Sequence, residues 1–283
     1  GGSNVAVGYA ALTTASVTSN NTALGANALY SNTGGNNVAV GYNASRLGGA
    51  VSAVVSVGYE SLYNNTATGN MGIGVQAGYR NTSGSGNTAL GYQALYPNQT
   101  GNYTTAIRRE ALYCAGSTNR CSYNTAVGFE SMYYITTGSY NSALGTFASL
   151  NNTSGQYNTG IGYQALAENE TGSSNTGIGY QALYGNGSAG SHSNNTAVGY
   201  NALWQIDTGA SNVAMGSNTL YNNLTGSYNV AIGQDALYTN TNNNYNTAVG
   251  YHAGYSNVGT LNVIVGANAL DAASAGGYNT AVG

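Results

Sequence analysis

A short pattern of polar and apolar positions recurs along the whole chain, and a typical copy runs Asn-Thr-Ala-Val-Gly from Asn195 to Gly199. With its last glycine taken as position 0, position −1 is Val, Ile, Leu or Met in every copy and position −2 is almost always Ala, Gly or Ser. Position −3 is mostly Thr or Val, and position −4 is Asn with two exceptions. A short, alternating, β-branched segment closed by glycine predicts a strand.

The copies are 16 or 17 residues apart, with two gaps of 20, and Arg108 fills the one place where the glycine is missing. A fixed period of this size is typical of stacked repeat proteins, and it leaves too little room for a helix in each repeat. The sequence therefore predicts an all-β fold, a parallel β-solenoid (β-roll or β-helix) of about 17 coils with a period of about 17 residues. No linker divides the chain, so we expect one domain over residues 1–283.

The faces of each coil can be predicted in part. Thr and Val exchange freely at position −3, which predicts an inward position alongside the aliphatic position −1. The small residue at −2 then faces outward, and its size predicts that a second sheet or another subunit packs against it. Leu at position +4 should be buried. Position +2 should face water because it carries Glu60, Glu110, Glu130 and Asp235.

Two segments, 87–96 and 175–184, read Asn-Thr-Ala-Leu-Gly-Tyr-Gln-Ala-Leu-Tyr and Asn-Thr-Gly-Ile-Gly-Tyr-Gln-Ala-Leu-Tyr. This pattern resembles the YadA-like head repeats of trimeric autotransporter adhesins, and also the repeat arrays of phage tail-fibre and related surface-fibre proteins. The resemblance covers the whole chain. It implies a left-handed parallel β-roll, usually trimeric, on an extracellular appendage that attaches to surfaces. The coils here are longer than the head repeats of that family.

Composition excludes several functions. The chain has no lysine, only five arginines and a net charge of −3, so it lacks the basic stripe that nucleic-acid binding requires. It has no apolar run long enough for membrane insertion. No spacing of its few acids and histidines suggests a catalytic or metal site, so we expect neither an enzyme nor a cofactor. Because the chain begins with Gly1, we expect a mature product or a piece of a longer protein.

Aromatic residues recur at position +5 in eleven of sixteen coils and at position +1 in nine, and stacked coils would align both sets in ladders. Such a ladder could stiffen a narrow fold, or it could bind sugar rings. The predicted +5 ladder consists of Tyr30, Tyr63, Tyr79, Tyr96, Tyr113, Tyr133, Tyr184, Trp204, Tyr221, Tyr238 and Tyr255.

Asparagines at position −4 predict an amide ladder at a corner of the coil. Other asparagines form N-glycosylation sequons, several of them 17 residues apart, so glycans could line one edge, although Asn-rich turns also generate sequons by chance. The candidate acceptors are Asn20, Asn43, Asn64, Asn81, Asn98, Asn102, Asn151, Asn152, Asn169, Asn186, Asn194 and Asn223.

Cys114 and Cys121 are the only cysteines, and they flank an insertion in one enlarged coil. A disulfide that closes this loop would fit an oxidising exterior, with free thiols as the alternative. The same coil holds Arg108, Arg109 and Arg120, which we expect to pair with acids on a solvated face.

These observations predict a structural component of an extracellular fibre or filament at the cell or virion surface, with its sequons either glycosylated or bare. The expected partner is the chain itself, in a trimer or filament, and surface glycans are a second possible partner. One alternative is an adhesin that binds glycans through its tyrosine ladders. Ice binding through the threonines of position −3 is a third, which their exchange with Val and their expected burial disfavour.

Overall fold

The computed structural model of the chain describes residues 2–14, 18–114, 121–186, 190–256, 259–271 and 276–283. They form two compact units, Gly1–Tyr140 and Asn141–Gly283. Each unit consists of three-residue strands, one in each repeat, and the described residues contain no helix. None of the described chain therefore has the long apolar helix that a bilayer crossing would need.

The strands of the first unit are β1 (Val5–Val7), β2 (Thr22–Leu24), β3 (Val38–Val40), β4 (Val55–Val57), β5 (Met71–Ile73), β6 (Thr88–Leu90), β7 (Thr105–Ile107) and β8 (Thr125–Val127). Those of the second unit are β9 (Ser142–Leu144), β10 (Thr159–Ile161), β11 (Thr176–Ile178), β12 (Thr196–Val198), β13 (Val213–Met215), β14 (Val230–Ile232), β15 (Thr247–Val249), β16 (Val263–Val265) and β17 (Thr280–Val282).

Within each unit every strand pairs in parallel with the strand of the next repeat, and equivalent positions face each other. In β12 and β13, for example, Ala197 pairs with Ala214 and Val198 pairs with Met215. The predicted all-β parallel solenoid, with a strand in every 17-residue repeat, is confirmed. That residues 1–283 form a single domain stays a prediction, since the two units are described separately.

The anchor glycine at position 0 is required by the close approach of consecutive coils. Gly199 has a φ of 138°, and a Cβ on it would clash with the carbonyl oxygen of Gly216. Other anchors, such as Gly162 before Gly179, repeat this geometry. An L-residue is disfavoured by both the backbone conformation and the contact. The repeated glycine therefore sets how closely the coils stack.

The segment that follows the anchor glycine, here called the arc, contains residues other than glycine whose backbone is in the left-handed region. In a typical coil Asn201 at +2 and Leu203 at +4 both have a φ of 52°. The Asn201 N–H donates to Tyr180 O of the preceding coil, and the Leu203 N–H donates to Thr219 O of the following one. Each such residue costs about 1–2 kcal/mol. Bonds to the coils on both sides offset this cost, so the arc is stable only in a stack.

Asparagines of position −4 form the predicted amide ladder, which is buried. Asn212 Oδ1 accepts the backbone N–H of Asn229 at 3.0 Å and its side-chain N–H at 3.1 Å, while Asn212 Nδ2 donates to Gly226 O at 2.8 Å. Each asparagine thus satisfies backbone groups that no strand reaches.

A second buried asparagine ladder occupies position +7. Asn81 Nδ2 donates to Asn65 Oδ1 at 2.7 Å and to Gly84 O at 2.8 Å, and in the second unit Asn240 Nδ2 donates to Asn223 Oδ1 at 2.9 Å. This ladder was not predicted from the sequence. Its signal was present, because these asparagines keep a constant distance from the anchor glycine.

The predicted orientation of the strands was wrong, because position −2 faces the core and positions −3 and −1 face outward. Ala197 is buried, whereas Thr196 and Val198 are partly exposed. The small residue is required by the opposite wall of its own coil: a Cβ on Gly177 would lie 2.9 Å from Ala182 O. The interior has room for Ala at −2 and +3 and for the buried Leu at +4, such as Leu203.

Asn212→Ala tests the amide ladder. The substitution leaves the Asn229 N–H buried without its partner and leaves Gly226 O with only Asn223 Nδ2 as a donor, so we expect a loss of about 1–3 kcal/mol in the free energy of unfolding. Asn242→Ala, at an exposed turn position, is the control and should stay within about 0.5 kcal/mol of wild type. Equal denaturant midpoints for the two variants would contradict a structural role for the ladder.

Arg108→Gly tests the anchor position. Arg108 has a φ of 101° and an exposed side chain where other repeats have glycine, so the change should stabilise the fold by about 1 kcal/mol. The reverse change, Gly199→Ala, should cost more than about 1 kcal/mol because its Cβ meets backbone. Thermal unfolding measures both, and a less stable Arg108→Gly variant would disprove the requirement for glycine.

Candidate functional site: the tyrosine ladders and the outer strand face

The predicted aromatic ladder at position +5 is present in both units. In the first unit the rings of Tyr63, Tyr79, Tyr96, Tyr113 and Tyr133 stack in succession, with centroids 4.8–5.7 Å apart. In the second unit the stack consists of Tyr184, Trp204, Tyr221, Tyr238 and Tyr255, with centroids 4.9–6.0 Å apart.

Tyr30, the remaining predicted residue, is linked to its ladder by Arg46 at position +5. The guanidinium carbon of Arg46 lies 5.3 Å from the Tyr30 ring centroid and 5.7 Å from that of Tyr63, and Nη1 donates to the Tyr63 hydroxyl at 2.7 Å. A planar cation can replace a ring in such a stack through cation–π contacts. Arg46 therefore continues the ladder where an aromatic residue is missing.

Stacking limits what these ladders can bind. Each internal ring covers the faces of its neighbours, with interplanar angles of 3–18° in the first unit, so mainly ring edges and hydroxyl groups are left to solvent. Burial raises the pKa of Tyr79, Tyr113 and Tyr133, and neighbouring phenols add to the effect. The phenols are thus neutral near pH 7. A sugar ring needs an open aromatic face, so the geometry favours a structural role for the +5 ladder.

Two further tyrosine ladders are present, of which the one at position +1 was predicted and the one at position −5 was not. At position +1, just after the anchor glycine, Tyr163 stacks on Tyr180 at 5.3 Å and Tyr180 stacks on Tyr200 at 5.2 Å. At position −5, Tyr103, Tyr123 and Tyr140 stack in the first unit, and Tyr228 stacks on Tyr245 in the second.

Positions −3 and −1 form an outer strand face in each unit, and this face is unusually apolar. No described residue at either position is buried, although position −1 is aliphatic in every repeat. Ile161 and Ile178 are each 37% exposed, Met215 is 44% and Leu144 is 50%. A regular row of exposed aliphatic side chains on one face is typical of an interaction surface.

The sequon asparagines divide by burial. Asn43, Asn81, Asn98, Asn152, Asn169 and Asn223 are buried, so a glycan on them would have to displace the packed interior. Asn81, Asn98, Asn152, Asn169 and Asn223 belong to position +7. Asn64 does not belong to position +7, because Asn65 occupies the +7 ladder in that repeat. The spacing of 17 residues therefore placed Asn64 wrongly on the same edge as the +7 asparagines. Partly exposed acceptors are Asn64, Asn102 and Asn151, and exposed ones are Asn20, Asn186 and Asn194.

The predicted disulfide is not found, since Cys114 and Cys121 are free and fully buried. Their thiols are in hydrogen-bond contact, and burial, followed by this contact, raises the pKa of Cys114 well above its ordinary value. Cys121 Sγ lies 3.7 Å from Thr136 O. Both side chains pack as small apolar groups of the core and do not form a disulfide cross-link. Residues 115–120 between them, including Arg120, lie outside the described residues.

Charged groups form no reactive centre in the described chain. Arg109 Nη2 lies 3.2 Å from Glu110 Oε1, and Arg109 is largely exposed, so the predicted solvated pair is present and contributes little. The expectation that Asp235 faces water was wrong: it is buried, accepts from Asn218 Nδ2 at 3.0 Å and lies 3.3 Å from His252 Nε2. Among the described residues there is no group of three potential metal ligands and no pocket.

His192 is an unusual core residue that was not predicted from the sequence. It lies at position −7, where most repeats have glycine. The side chain is buried, and neither ring nitrogen has a hydrogen-bond partner among the described residues. Burial lowers its pKa from 6.5 to about 4. The imidazole is therefore neutral near pH 7, and its protonation opposes folding.

Comparison of the chain with family models, curated proteins and solved structures finds no match. The resemblance to head repeats and tail-fibre arrays therefore stays an expectation drawn from the repeat motif.

The pH dependence of stability tests the burial of His192. Between pH 6.5 and about 4 the unfolded chain binds a proton that the folded chain does not, so stability is full above pH 6.5 and falls as the pH drops to 4. The shift corresponds to a loss on the order of 3 kcal/mol. His192→Leu should remove this part of the acid sensitivity when denaturant unfolding is compared at pH 7.5 and 4.5. The same loss in the variant would show that other groups cause it.

Proposed function

We propose that the protein is a structural component of an extracellular fibre or filament, and that its copies associate through the outer strand face. The observation that carries this proposal is the aliphatic residue at position −1, which points outward in the strands of both units. If the residues at position −1 faced the core, their aliphatic character would need no partner to explain it. An outward column that stays aliphatic in every repeat is explained by burial against another surface.

The repeat of this face indicates what its partner is. Its side chains recur at the spacing of neighbouring strands, about 4.8 Å. A second copy has the same spacing, so a contact made by one coil is repeated by the next. A closed cyclic arrangement of copies would bury the face of each one, and a trimer is the arrangement that the family resemblance implies.

The energy of such an interface depends on its length. Complete burial of a Val, Leu or Ile side chain contributes about 1.5–3 kcal/mol, so a half-exposed one contributes about 1 kcal/mol. The second unit has nine strands, β9 to β17, and thus contributes on the order of 10 kcal/mol. Association costs about 4–15 kcal/mol. A long face can offset this cost, whereas a face of two or three coils cannot.

Glycosylation is compatible with this function only at the exposed or partly exposed sequons. We infer that any glycans would be carried by Asn20, Asn186 or Asn194, or by the partly exposed Asn64, Asn102 or Asn151. Their bulk would solvate a surface that has few charges.

Ice binding is a second candidate because the structure removes one argument against it. Thr159, Thr176 and Thr196 lie outward on consecutive strands beside the aliphatic column, so threonines are presented in a regular array. The array is interrupted where Val213 and Val230 take the same position.

The association state of the full chain tests the proposal. We expect sedimentation velocity to give a multiple of the 28.6 kDa chain mass. Ile161→Glu/Ile178→Glu should shift the protein towards monomer, because buried unpaired carboxylates are unfavourable in an interface. Gln156→Glu/Thr171→Glu, which adds two carboxylates at exposed positions of the same region, is the control and should associate like wild type.

Circular dichroism of each variant separates loss of association from loss of fold. A folded wild type that is monomeric at all concentrations would overturn the proposed assembly, as would a folded Ile161→Glu/Ile178→Glu variant that associates like wild type. A monomer that shows thermal hysteresis on freezing would favour ice binding instead.

A further inference from the structure

The tyrosines of position −5 are not explained by the stability of the coil. Tyr103, Tyr123, Tyr140, Tyr228 and Tyr245 have φ values of 52–62°, in the left-handed region. This region disfavours a bulky side chain and favours Asn or Gly. Other repeats have Asn20, Asn36, Gly69, Gly86 or Asn194 at the same position, so the fold does not require tyrosine there.

These tyrosines are also highly accessible. They are 47–61% exposed, in contrast with the half-buried rings of the +5 ladder, so a reagent in solution can reach them. An aromatic residue that is strained and exposed contributes little to a core. Its retention is better explained by the chemistry of the phenol.

Their rings are arranged in pairs across neighbouring coils. The Tyr103 and Tyr123 centroids are 5.5 Å apart, those of Tyr123 and Tyr140 are 4.9 Å apart, and those of Tyr228 and Tyr245 are 5.0 Å apart. The rings of the last two pairs are nearly parallel, with interplanar angles of 3° and 2°. Because each ring projects into solvent, its side chain has room to turn an ortho carbon towards its neighbour.

We propose that the stacked tyrosines of position −5 are sites of oxidative cross-linking, at which a peroxidase-class oxidant joins neighbouring coils as dityrosine. The oxidant removes one electron and one proton from each of two phenols. The two phenoxyl radicals form a carbon–carbon bond between ortho positions, and each ring hydrogen at that bond moves to oxygen to restore the phenol. With hydrogen peroxide, two tyrosines and one peroxide give one dityrosine and two waters.

Proximity makes this reaction selective. A radical on one ring finds its partner already within one coil spacing, so coupling within the chain is favoured over collision between chains. The product would bond adjacent coils covalently at the surface and hinder their separation. The proposal concerns single chains and does not depend on assembly through the outer strand face.

Treatment of the full chain with a haem peroxidase and hydrogen peroxide tests the proposal. We expect dityrosine fluorescence, a chain of monomer mass on denaturing gels, and cross-linked peptides joining Tyr103 to Tyr123, Tyr123 to Tyr140 and Tyr228 to Tyr245. Each link should lower the mass by two hydrogens.

Two substitutions provide the controls. Tyr245→Phe keeps the stacked ring but removes the phenol, so it should abolish the link to Tyr228 and leave the links of the first unit. Tyr221→Phe makes the same change in the half-buried +5 ladder and should leave all three links at their wild-type yield. Absence of the −5 links in folded protein would overturn the proposal, and so would a yield that is higher between +5 tyrosines or between chains.

Discussion

The close approach of the backbone at the anchor glycine determines the spacing of the coils, and the other ladders follow from it. Where the carbonyl of Gly216 lies within contact of Gly199, no side chain can separate the coils. Asn195 and Asn212 then lie close enough to join by hydrogen bonds, and rings such as Tyr221 and Tyr238 lie within stacking distance. A fold with so small an apolar interior is therefore stabilised mainly by groups that repeat along the stack.

This stacking explains why the chain has so few charges. Each side chain lies about one strand spacing from its equivalent, and two like charges at that distance repel by about 1 kcal/mol in water and about 3 kcal/mol near a protein surface. Charges that remain are placed beside neutral or opposite groups, as with Arg46 between rings and Glu60 beside Gln76. Glu130 is an exception: burial, followed by the charge of Glu110, raises its pKa. Amides and phenols stack without this cost.

Sequence alone predicted the features that depend on the period. Strand position, parallel pairing, the Asn195 amide ladder and the +5 aromatic ladder all follow from which residues are equivalent. It did not predict which way the strand faces, because a three-residue segment such as 196–198 alternates equally well in either orientation. The small size of Ala197 was attributed to contact with a second sheet or another subunit, but the opposite wall of the same coil requires it. The +7 ladder was missed because sequons were aligned by spacing rather than by the anchor, which confused Asn64 with Asn65.

Positions dictated by the coil and positions free to vary can now be separated. The anchor glycine, the amide ladders and the alanines of the interior are fixed by contacts within the stack. An aliphatic residue at −1, by contrast, has solvent beside it, and a tyrosine at −5 adopts a backbone conformation that suits Asn better. Neither choice lowers the free energy of an isolated coil. The two proposals would account for them by contact with another copy in the first case and by reaction of the phenol in the second.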